Sequence, residues 1–107
     1  IIVKDDSTST TVYLYRHCDG YPSGLGAELR EFVNGFENNI YWTSVYDVVG
    51  RLVTGVVENI KHTSCIHGDI EYKYVIDVTY GDPKLEAYER RSWDIPTDNE
   101  KAWKRIL

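Results

Sequence analysis

The chain has 107 residues and a mass of 12.4 kDa, the size of one domain, which excludes a large two-domain enzyme. With 42% hydrophobic and 13% aromatic residues it can close a core, so it is not an intrinsically disordered chain. Twelve Lys and Arg against seventeen Asp and Glu give a formal charge of −5 and an isoelectric point near 5.1, which argues against direct nucleic-acid binding and against an anionic membrane surface. No run approaches the roughly 18 consecutive apolar residues of a membrane span, and no basic-then-apolar leader is visible. Two cysteines in this length do not make a disulfide scaffold, so a reduced, cytoplasmic setting is expected. The chain contains no Met, which suggests a trimmed start.

In chain order, Ile1 to Val3 and Thr11 to His17 are rich in β-branched and aromatic residues and flank a polar run, predicting two strands of a hairpin. Cys18 to Gly24 is dense in turn residues and stops the strand. Leu25, Leu29, Phe32, Val33 and Phe36 then recur on one stripe of a helix, with Ser23 as its N-cap and Asn34-Gly35 as its end, Gly35 taking a left-handed conformation. A second stripe from Ser44 to Ile60 opens on the capping pair Ser44 and Asp47, although its valines and two glycines are poor helix formers.

Ile70 to Thr79 alternates cleanly, with Ile70, Tyr72, Tyr74, Ile76 and Val78 on one side, and Leu85 to Arg90 returns as its partner strand. Thr97 and Glu100 have the spacing of a capping box and predict a short helix through Leu107. The order implies one α+β domain, residues 1–107: an antiparallel sheet of about four strands, two helices packed on one face, and a short C-terminal helix.

The most distinctive string is His17-Cys18-Asp19-Gly20-Tyr21-Pro22-Ser23-Gly24-Leu25-Gly26, a strand-to-helix junction with three glycines. Free backbone N–H groups at a helix start attract anions, and Arg16 adds a charge nearby. The string is neither a Walker loop nor a dinucleotide fingerprint, and it lacks the arginine a cysteine phosphatase would need. Four potential ligands crowd residues 62–69, so His17, Cys18, His62, Cys65 and His67 form a conceivable metal set, yet the spacing matches no zinc module and no cofactor is expected. Tyr13 and Tyr15 share one strand face, opposite Val12 and Leu14, so one face of the sheet shows tyrosines. The first 60 residues hold the acidic excess, including Glu28, Glu31 and Glu37 on or just after the first helix, which reads as a solvated face.

Tyr13 to Gly24, followed by Leu25-Gly26 and a helix, resembles a family of small uncharacterised phage and prophage proteins. These carry a Tyr-x-His-x-Asp-Gly-Tyr-Pro string after a strand, and often a later strand like Gly68 to Tyr74. The resemblance covers about a fifth of the chain and implies a bacteriophage accessory protein of the bacterial host cytoplasm. It further implies a protein that binds and inhibits a host component such as a bacterial defence protein, without catalysis of its own. The residues expected to meet the partner are Tyr15, His17, Asp19, Tyr21, Ser23, Gly24, Glu28 and Glu31, and a homodimer is compatible with the sequence. The alternative reading is a small-molecule or nucleotide-phosphate site, with or without catalysis, at residues 17–26.

Overall fold

A computed structural model describes residues 1–16, 20–35, 44–56, 60–63, 66, 68 and 70–107. The opening β-branched segments form β1 (Ile2–Asp5) and β2 (Thr10–Tyr15), paired antiparallel with Ile2 opposite Tyr13 and Val3 opposite Val12. The connecting turn is shorter than the polar run suggests. Asp5 accepts hydrogen bonds from the N–H and hydroxyl of Ser7 at 2.9 and 2.6 Å, which lets the chain reverse within Asp6 to Ser9.

Four more strands follow: β3 (Lys61–Thr63), β4 (Tyr72–Asp77), β5 (Lys84–Arg90) and β6 (Trp103–Arg105). They complete a six-stranded sheet in the order β3-β2-β1-β4-β5-β6, and β1 and β4 run parallel, with Val3 beside Ile76. The sheet is therefore mixed and wider than the four antiparallel strands expected. Both additional strands are three-residue edges, too short to show alternation. The parallel seam joins residues far apart in sequence, which no hairpin signal reveals. Between β4 and β5, Gly81 adopts a left-handed φ of 94° that closes the turn without a side-chain clash.

The terminal helix is replaced by a single 3₁₀ turn, Glu100–Ala102, and β6. Asn99, not Thr97, caps this turn by accepting from the Lys101 N–H at 2.9 Å. Ala87 then ties down the chain end, donating to the Leu107 carbonyl at 3.1 Å and accepting from the Ile106 N–H at 2.8 Å. Ladder bonds and burial of Trp103 thus outweigh a local helical preference worth only tenths of a kcal/mol per residue.

The two helices are α1 (Ala27–Asn34) and α2 (Val45–Arg51), the second continuing into a π-type turn, Leu52–Val56. Residues 57–59 of the longer helix expected here lie outside the described residues. The Ser44–Asp47 capping box forms as the sequence suggests, its side chains exchanging bonds with each other's backbone N–H at 3.1 Å. Gly35 ends α1 as expected but with a right-handed φ of −64°. Leu29 and Phe32 of α1, and Val45, Val48 and Leu52 around α2, meet Val3, Leu14, Tyr74, Ile76 and Val78 of the sheet in one core. Both helices therefore cover the same sheet face, α1 against β5 and α2 against β1 and β2. Each such side chain contributes roughly 1.5–3 kcal/mol when fully buried.

Candidate functional site

The strand-to-helix junction is held from beneath by one tyrosine. Alternation along β4 turns Tyr74 into the core, where it is 1% exposed, and a buried phenol requires a partner for its hydroxyl. That hydroxyl donates to the Gly20 carbonyl at 2.7 Å. Burial, reinforced by the neighbouring Tyr72, pushes the Tyr74 phenol well above its ordinary value, so it stays protonated and keeps donating.

Its ring also fixes the start of the helix. A Cβ on Gly26 would come within 3.2 Å of the Tyr74 ring and hydroxyl, so the absence of a side chain there lets the backbone approach the ring closely.

Helical structure begins at Pro22, earlier than expected, with a π-type turn over Pro22–Gly26 that runs directly into α1. The N–H groups of Gly24 and Gly26 both turn back to the Tyr21 carbonyl, at 2.9 and 3.4 Å. Ser23 lies inside this turn, exposed, and caps nothing: the residue preceding α1 is Gly26, without a side-chain capping bond. Proline at the first helical position moves the start upstream, because its fixed φ suits a helix and it has no N–H to satisfy. Arg16, expected to help hold an anion, is ion-paired with Glu28 in the first turn of α1.

Tyr15, Arg16, Gly20 and Tyr21 converge on a cavity of about 230 Å³ beside the first residues of β1, with Tyr72 and Lys73 on its far wall. Tyr15 is half-buried and Tyr21 stands out, 49% exposed. Tyr13 and Tyr15 lie on the sheet face away from the helices, as their spacing predicts. Of the other expected contact residues, Ser23, Gly24, Glu28 and Glu31 lie off the cavity, and His17 and Asp19 fall outside the described residues. Cys18, Cys65 and His67 do likewise. His62 is described only as backbone paired with Leu14, and no group of three or more metal-ligating side chains occurs among the described residues.

Sequence reasoning placed Tyr74 on one side of its strand and Gly20 and Gly26 in the distinctive string but missed the contact that joins them, although a tyrosine in an otherwise apolar alternation signals a buried hydroxyl seeking a carbonyl. Lys73, reaching the outer face, has its ammonium pKa lowered by burial, against the attraction of Glu100 and Glu86. No described helix is long and apolar enough to cross a membrane. The chain matches no family model, no curated protein and no solved structure.

Proposed function

We propose that the chain is a non-enzymatic protein-binding domain that docks through the corner between β2 and α1, with Tyr21 as its central anchor. The partner implied by the phage resemblance is a host or bacterial defence protein, which binding would block. One observation carries this reading: Tyr21 is 49% exposed on a backbone fixed to the core by the Tyr74–Gly20 hydrogen bond. An aromatic side chain presented by a rigid backbone loses little entropy on binding, the usual property of an energetic hot spot.

The adjoining cavity of about 230 Å³ is below the roughly 300–1,000 Å³ of small-molecule sites and suits one inserted side chain of a partner. The alternative, a phosphate at the helix start, is less favoured by the geometry. Two glycine N–H groups already turn to Tyr21, and the nearby arginine is matched by Glu28.

Tyr21→Ala should cut partner capture from host lysate at least 30-fold, about 2 kcal/mol for a hot-spot aromatic, while the thermal melt stays unchanged. Undiminished capture by a folded Tyr21→Ala protein rejects the proposal.

A further inference from the structure

The sheet face turned away from both helices carries a charge opposite to that of the chain. Strand register places Lys4, Lys61, Lys73, Lys84, Arg90 and Arg105 on this face, against three carboxylates among the described residues: Asp77, Glu86 and Glu71, which extends β4 opposite Arg90. Half of the twelve cationic side chains thus share a face with three of the seventeen acids. Tyr13, Tyr15, Tyr88 and Trp103 alternate with these cations across the ladders.

We propose that this face binds single-stranded nucleic acid, its cations holding phosphates and the exposed Trp93 ring beside Arg90 stacking a base. Net charge averages over the whole chain, whereas a polyanion responds to the local field of the face it meets. Lys4 and Arg105 are neutralised by carboxylates, Lys4 by Asp6 at 3.3 Å and Asp77 at 3.9 Å, and Arg105 by Glu86 at 3.3 Å. Among the described residues the remaining four have no carboxylate within ion-pair distance, although Glu100 and Glu86 attract the Lys73 ammonium. Arg90 donates to the carbonyls of Ser92 and Ile95 at 2.9 Å, and its guanidinium lies 4.8 Å from the Trp93 ring and 5.3 Å from the Trp103 ring. The Lys73 ammonium lies 4.7 Å from the rings of both Tyr88 and Trp103. Lys61 and Lys84 are exposed, with no ion pair among the described residues.

Trp93 is 57% exposed beside Arg90 and offers an open ring for a base. Five strand spacings make the face roughly 24 Å wide, enough for several unstacked nucleotides, and cations beside an open ring suit splayed single strands better than the grooves of a duplex.

The test is fluorescence anisotropy of labelled oligothymidylate, about ten nucleotides long, titrated with the whole chain. Four engaged cations give a slope of log affinity on log salt of about −3, or roughly 50-fold weaker binding at 200 mM than at 50 mM salt. Lys61→Gln with Lys84→Gln should halve that slope. Trp93→Ala should weaken binding by roughly 5-fold or more and leave the slope alone. These three side chains are exposed, and Arg30→Gln on α1 serves as a control that should change nothing. Absence of binding at 50 mM salt overturns the proposal. So does polyglutamate binding as tightly as the oligonucleotide, unaffected by Trp93→Ala, which would make an acidic protein the occupant.

Discussion

Tyr74→Phe tests the physical link on which the corner depends. The substitution keeps the buried ring and deletes only the hydroxyl that donates to Gly20 at 2.7 Å. A net hydrogen bond contributes about 1 kcal/mol, and the Gly20 carbonyl loses its donor, so the expected loss at pH 7 is about 1–2 kcal/mol. For a domain of this size that lowers the melting temperature by roughly 4–12 °C.

The alkaline behaviour is more specific. Burial raises the Tyr74 pKa above the ordinary value of 10, so above pH 10 the unfolded chain gives up a proton that the native state keeps. The stabilisation from this group is complete below pH 10 and falls as pH rises further, by up to about 1.4 kcal/mol per pH unit. Tyr74→Phe should remove that contribution to the slope while costing stability at neutral pH. Urea titrations followed by tryptophan fluorescence between pH 7 and 11 would read both effects. A variant as stable as the parent at pH 7, with the same alkaline slope, would refute the anchoring role.

Two glycines should respond to alanine in opposite directions. Gly26→Ala places a methyl group 3.2 Å from a buried ring that its hydroxyl bond holds in place, and should cost about 1 kcal/mol despite better helix propensity. Gly50→Ala, inside α2 with open space around the added methyl, should gain up to about 1 kcal/mol; urea midpoints compare the pair. Ser44→Ala removes the α2 cap and should cost about 1 kcal/mol in the same titration at pH 7. Ser44 also holds the Asp47 carboxyl below its ordinary value of 3.8 through backbone and side-chain bonds, so this stabilisation is complete above pH 4 and is lost as pH falls further. Acid titrations of Ser44→Ala should therefore show a shallower decline below pH 4 than the parent.

Local signals were legible where one element decided its own structure. The alternation of Tyr74, Ile76 and Val78 placed all three in the core, and Ser44 with Asp47 marked the start of α2. Such patterns report which side of an element is apolar and which groups can satisfy a helix end. They do not report which strand lies beside which, so the Val3–Ile76 pairing stayed hidden. The C-terminal capping pattern misled for a related reason: Thr97 and Glu100 have helical spacing, but Ala87 offers backbone partners that make an extended end more favourable. At the corner, the exposed Tyr21 was legible as a turn residue beside proline. Its support was not, because it arrives from a strand more than fifty residues later.

The parallel seam between β1 and β4 also orders how the molecule assembles. On one side is the β1–β2 hairpin, Ile2–Tyr15, with β3 on its far edge; on the other, a three-stranded meander, Tyr72–Arg105; the hairpin and the meander each draw on neighbours close in sequence. Joining them requires Val3 to find Ile76 across most of the chain, a loop closure that local contacts do not assist. Closing this seam is the expected slow step of folding, and until it closes the edges of β1 and β4 remain open to strands of other molecules.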